Sequence, residues 1–120
     1  MIEFNSYKLE NNEDVLVVEL SGRLDTDTAE TFFERFEQEI AAGHNKMIFD
    51  CKALEHISSL GFGMMIRAHS RLQKEGGAVR FARLEGYIEE AFRIVGFSKL
   101  FENFDSVEAA VASLVDPKPE

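Results

Sequence analysis

A chain of 120 residues with 45% apolar content and 11 phenylalanines has the length for one domain with a real core, and is too apolar for a disordered segment. Its formal net charge of -9 repels phosphate backbones and anionic headgroups, which argues against nucleic acid and membrane surfaces as partners and favours a basic patch on a protein. The single cysteine, Cys51, can form no internal disulfide, and no apolar run approaches the ~20 residues that span a bilayer. Met1-Ile2-Glu3-Phe4 offers neither a basic n-region nor an apolar h-region, so no signal peptide is expected and a cytoplasmic location follows by elimination.

In chain order, residues 3–9 alternate weakly and predict an edge strand, followed by the polar turn Asn11-Asn12-Glu13-Asp14. Val15-Leu16-Val17-Val18-Glu19-Leu20 is short, dense and β-branched, as a buried strand is, and Gly22 is expected to break it. Asp27, with Glu30 three residues on, has the pattern of a capping box opening a first helix. Ala29, Phe32, Phe33, Phe36 and Ile40 line one face of that helix, which Gly43 ends. Residues 46–51 read as the next strand and 52–57 as a short loop. A second helix is predicted over 59–74, with Gly61, Met64, Met65, Ala68 and Leu72 sharing a face and Glu75-Gly76-Gly77 as its stop. Then follow a strand at 78–82, a helix at 87–95 ended by Gly96, a short strand at 100–104 and a helix at 106–114.

After the first two strands, strands and helices alternate. That order predicts an α/β domain with a mostly parallel sheet of four to five strands, packed with about four helices on right-handed crossovers. Residues 1–115 form one domain in this reading, and 116–120, Asp116-Pro117-Lys118-Pro119-Glu120, form a disordered tail.

Most catalytic chemistries find no footing. Gly61-Phe62-Gly63 is too short to cradle a pyrophosphate and no P-loop lysine follows it. His44, His56 and His69 form no His-x-x-x-His pair, so no metal site is expected; His44 falls in a turn and His69 on a helix face, both expected to be solvated. His56 lies three residues before Ser59, but nothing in the sequence turns it toward that hydroxyl, and Gly-x-Ser-x-Gly is missing. Cys51 reads as buried and inert. The expectation is a non-enzymatic protein without a cofactor.

The junction after the third strand, Ile57-Ser58-Ser59-Leu60-Gly61, remains. Read alone, it is an N-cap serine followed by a glycine that permits close packing. Three segments change that reading. Leu20-Ser21-Gly22-Arg23-Leu24-Asp25 with Ala29-Glu30 resembles an "L-x-G-x-L-D … A-E" block. Ile48-Phe49-Asp50, Leu54 and Ile57-Ser58-Ser59-Leu60-Gly61-Phe62 resemble an "I-x-D … L … I/D-S-S/T-x-G-L" block. Gly76-Gly77 and Val95-Gly96-Phe97 are similar to a "G-G" turn and an "x-G-L" helix end. Over residues 8–114 the chain resembles a STAS domain of the anti-sigma factor antagonist type.

The resemblance implies a STAS-like fold and a switch. In that family a serine two residues before the glycine receives a phosphate from a partner kinase; the matching residue is Ser59, with Ser58 as a second hydroxyl where many members carry Asp. Asp25, Asp50, Ser58 and Gly61 are then the neighbours of the switch site. The implied partners are an anti-sigma factor with serine-kinase activity, which supplies ATP and Mg²⁺, and a serine phosphatase that resets Ser59. Phe62 and Ile66 allow two readings: a helix buried on two sides, or an apolar partner-binding patch beside Ser59. Asp25 is equally readable as a solvated turn acid. Two alternatives to the switch stand beside it: a permanent subunit of a lipid-transport or stress-signalling complex, and direct binding of a small ligand such as a nucleotide, against which the missing phosphate loop argues. The oligomeric state is left open.

Overall fold

The computed structural model describes residues 2–9, 12–99 and 101–115. Five strands and four helices follow one another as β1 (Ile2–Leu9), β2 (Asn12–Leu24), α1 (Ala29–Ala41), β3 (Lys46–Ile57), α2 (Ser59–Lys74), β4 (Ala78–Ala82), α3 (Gly86–Ile94), β5 (Asn103–Phe104) and α4 (Val107–Val115), with a 3₁₀ turn at Phe97–Lys99. The sheet order is β1-β2-β3-β4-β5. β1 and β2 are antiparallel; every later pairing is parallel. The expected α/β architecture is therefore present, with one antiparallel edge pair.

A strand order that never reverses sends right-handed crossover helices to one side of a sheet. Accordingly α1, α2 and α3 pack together on one face, where Phe32, Phe36, Met65, Leu72 and Phe92 meet Phe4, Phe49 and Phe81 from the strands. Among the described residues, only α4 lies on the other face, where Ala110 and Val111 cover Val15, Ile48 and Ala82. Every phenylalanine except Phe104 joins one network of edge-to-face, tilted and stacked ring contacts, running from Phe4 through Phe32, Phe49, Phe81 and Phe92 to Phe62, Phe97 and Phe101. Phenylalanine suits such a core because it brings large apolar area and no polar atom to satisfy.

Several boundaries differ from those expected. β2 continues through Gly22, which takes φ +95, to Leu24. β3 runs to Ile57 with no loop at 52–57. Two bulges explain why its pattern reads as irregular. Glu19 pairs with Asp50 and Ser21 with Ala53, then Gly22 with Leu54 and Arg23 with His56; each step leaves one extra residue on β3, and each extra residue disrupts the in-out alternation. The strand expected over 100–104 shrinks to Asn103–Phe104. Residue 100 and the tail at 116–120 lie outside the described residues, as does part of the expected turn before β2.

Candidate functional site

The site is built where β2 and β3 end side by side. Leu24 and Ile57 are the last paired residues of the two strands, and the Ser58 N–H donates to the Leu24 carbonyl at 2.9 Å. The turn that begins at Asp25 and the junction that begins at Ser58 are thus joined by one backbone hydrogen bond. Gly61 makes the arrangement possible. A Cβ there would lie 2.6 Å from the Leu24 carbonyl oxygen and 2.9 Å from Ile57 Cγ1, so only glycine lets the first turn of α2 rest against the end of β2.

The two serines have different surroundings. Ser58 is extended, with φ -93 and ψ 174, and its Oγ accepts the Gly61 N–H at 3.2 Å. It is the N-cap of α2. Ser59, the first residue of the helix, is exposed. The first turn of α2 carries no acid, so the unpaired backbone N–H groups and partial positive charge of the helix end are not offset by a side chain.

Across from this helix end the Asp25 turn is rigidly tied, although not by the expected capping box. Asp27 does not cap α1; Thr28 occupies the cap position, and its hydroxyl is turned away from the helix. It accepts the Asp25 N–H at 2.9 Å and lies 2.8 Å from the Arg23 carbonyl oxygen, to which it donates. Asp25 Oδ1 in turn accepts the Asp27 N–H at 3.1 Å. Burial pushes the Asp25 carboxyl up, but hydrogen bonds from Asp27, Thr28 and Arg23 outweigh it and hold it below its ordinary value. Thr28, 8% exposed, is a positioning residue that the sequence reading passed over; a Ser or Thr directly before Ala-Glu at a helix start is the cue that points to it.

Two expected members do not belong to the site. Asp50 projects from the middle of β3; its partner Glu19 is five residues before Leu24, the partner of Ile57, so it lies roughly 17 Å along the sheet from Ile57. It is 3% exposed and holds Arg83 through Oδ1–Nε at 3.0 Å and Oδ2–Nη2 at 2.6 Å. Its neighbour Phe49 packs against Phe32 and Phe36 of α1, so Asp50 faces the opposite side of the sheet. Phe62 is not surface either: at 8% exposure its ring packs edge-on against Phe92 and Phe97. Residues four apart on a helix stand only about 40° from each other, and the border of the buried face falls between Phe62 and Ile66. Ile66, 41% exposed, and Leu60, 44% exposed, are the large apolar groups presented near Ser59.

The histidines also depart from expectation. His56 Nδ1 lies 2.8 Å from the Tyr87 hydroxyl, which ties the end of β3 to the start of α3. His44 is half-buried beside Glu39 at 3.7 Å. His69 is half-buried with its ring edge-on to Phe101; burial, aided by Arg80, pushes its pKa down. Cys51 is buried as expected, and burial pushes its thiol far above the ordinary range. No helix among the described residues is long and apolar enough to cross a membrane.

A five-stranded sheet with one antiparallel edge, three helices on one face, and a serine-capped helix starting against the end of the second strand defines a class of small α/β domain. The chain belongs to the STAS domain family, whose model matches residues 6–110. A Bordetella bronchiseptica protein provisionally named as the anti-sigma factor antagonist BtrV is 26% identical over 105 residues, 88% of this chain and 90% of that one. Among solved structures, an anti-sigma factor antagonist from Mycobacterium paratuberculosis superposes with a TM-score of 0.84 at 21% identity, covering 97% of this chain and 96% of that one. The Bacillus cell fate determinant SpoIIAA in its phosphorylated form superposes with a TM-score of 0.67 at 18% identity, covering 91% and 96%.

Proposed function

We propose that the protein is an anti-sigma factor antagonist: unphosphorylated, it binds an anti-sigma factor with serine-kinase activity, and phosphorylation of Ser59 releases it. The observation that carries the choice of residue is the division of labour at the junction. Ser58 Oγ accepts the Gly61 N–H, whereas Ser59 is exposed. Family membership and the name of the Bordetella relative support the class of partner.

A phosphate on Ser59 adds a charge of roughly -1.5 to -2 at neutral pH. It would stand at a helix N-terminus, which favours anions, so the domain tolerates the modification without refolding. A partner seated over Ser59, Leu60 and Ile66 meets the added bulk, and its own carboxylates meet the added charge. Asp25, held ionised beside the junction, contributes to the same acidic surface. ATP and Mg²⁺ belong to the kinase, a serine phosphatase resets Ser59, and the cycle runs in the cytoplasm.

The test uses the parent, Ser58→Ala, Ser59→Ala and Ser59→Asp proteins as baits in lysate of the source cells, with phosphosite mapping by mass spectrometry. A phosphate on Ser59 that survives Ser58→Ala and disappears in Ser59→Ala is expected, together with loss of a kinase-type anti-sigma factor from the Ser59→Asp bait. A phosphate on Ser58 instead, or undiminished capture by Ser59→Asp, overturns the reading. Capture of a membrane-transport ATPase at fixed stoichiometry by all four baits would replace it with a permanent-subunit role.

A further inference from the structure

The part of the sheet that α4 leaves bare holds a second polar constellation, on the face opposite the serine junction. Asn5 on β1 stands opposite Glu19 on β2, and Glu19 opposite Asp50 on β3, so the three share one face at strand spacings of about 4.8 Å. The first bulge of β3 falls next in line. It turns the Lys52 N–H to Asp50 Oδ1 at 3.3 Å and leaves the Lys52 side chain exposed. Arg83, just past the end of β4, folds back over the row onto Asp50. To do so it adopts φ +62, the only non-glycine residue with a left-handed backbone among those described. Together these residues and Ser21 line an open basin of about 450 Å³.

Bulges and left-handed non-glycine residues each concentrate at functional sites, and here both meet beside a buried ion pair in one depression of ligand size. Charge then narrows the occupant. Asp50 and Arg83 neutralise each other. Among the described residues Glu19 and Lys52 have no ion-pair partner, so one negative and one positive group remain on neighbouring strands. A simple anion would meet Glu19, and a simple cation would meet Lys52. Burial, followed by Glu19 and Asp50, pushes the nearby Tyr7 hydroxyl up.

We propose that this basin binds a small zwitterion of the free α-amino acid class. The ammonium group is held by the Glu19 carboxylate and the Asn5 amide oxygen. The carboxylate is held by Lys52 and by the Arg83 N–H groups that Asp50 leaves unused; two of the guanidinium's five are engaged with Asp50. The Asp50–Arg83 pair is the fixed part of the site, and Glu19 and Lys52 are its adjustable arms. Nothing in this depends on Ser59, so the two sites can fail independently.

The experiment is a titration of ¹⁵N-labelled full chain, followed by amide chemical shifts. The probes are the standard free amino acids, with acetate and methylammonium as half-ligands. At least one amino acid is expected to move the Ser21, Lys52 and Arg83 resonances and to leave Ser59 unmoved. Each half-ligand should bind at least about tenfold more weakly, and Glu19→Gln and Lys52→Met should each weaken the amino acid by about tenfold while keeping the remaining spectrum. No movement of these resonances at ~10 mM of any amino acid, a concentration far above that of a useful site, overturns the proposal. So does a half-ligand that binds as well as the whole, or an affinity unchanged in both variants.

Discussion

Ser58 and Ser59 differ by one position and by what their hydroxyls do, and stability measurements can separate them without any partner. Ser58→Ala removes an N-cap and leaves the Gly61 N–H unbonded, so it is expected to cost about 1 kcal/mol in urea denaturation. Ser59→Ala touches an exposed side chain and should stay within about 0.5 kcal/mol of the parent. The reverse order would show that Ser59 is the cap. The junction was legible in the sequence through its resemblance to a family block, since read alone it is only an N-cap serine followed by a glycine. The sequence could not divide the labour between the serines, which depends on the ψ angle at Ser58. It also misplaced Asp50: adjacency to a motif in sequence says nothing about which side of the sheet a strand residue faces.

At the level of elements, the contact between α2 and the end of β2 is where the domain has least room. Gly61→Ala places a methyl 2.6 Å from the Leu24 carbonyl oxygen. Backbone cannot swing aside as a side chain can, so the substitution is expected to cost about 1–3 kcal/mol and to shift the Asp25 and Ser58 amide resonances more than those of α4. A cost below about 0.5 kcal/mol would mean that the helix start is not seated as described. The helices were legible because their apolar residues recur at helical spacing; α2 begins and ends where its pattern predicts. β3 was half legible. Its first six residues hold a continuous buried run from Met47 to Cys51, whereas beyond it Lys52 and Ala53 are exposed together at the first bulge, and no period of two marks the rest of the strand. The Asp25 turn failed for a different reason: Asp27 and Thr28 are both acceptable caps, and the choice was made by a hydroxyl that bonds backward to Arg23 rather than forward into the helix.

For the whole molecule, the cost of the half-buried His69 should be visible in how stability varies with pH. Burial lowers its pKa below the ordinary 6.5, so the folded state binds this proton less readily than the unfolded chain. Its Nδ1 is buried without a hydrogen-bond partner among the described residues. The contribution is therefore fully present above pH 6.5 and is lost as the pH falls through the lower folded value. Guanidinium unfolding from about pH 8 to pH 5 should show less acid-side loss in His69→Phe than in the parent. Identical slopes would mean that the imidazole titrates freely in the fold. The composition foresaw a phenylalanine core but not its extent, since the ring network depends on which strands become neighbours.

The order of the strands in the sheet is the order in which they are synthesised. Each strand pairs with the one made just before it, so no strand has to be inserted between two that are already joined. Every loop that must close spans one helix at most, and the entropy of closure stays small at each step. A nascent chain can thus extend its sheet in one direction as it leaves the ribosome. α4, made after all five strands, arrives at a face that is already assembled.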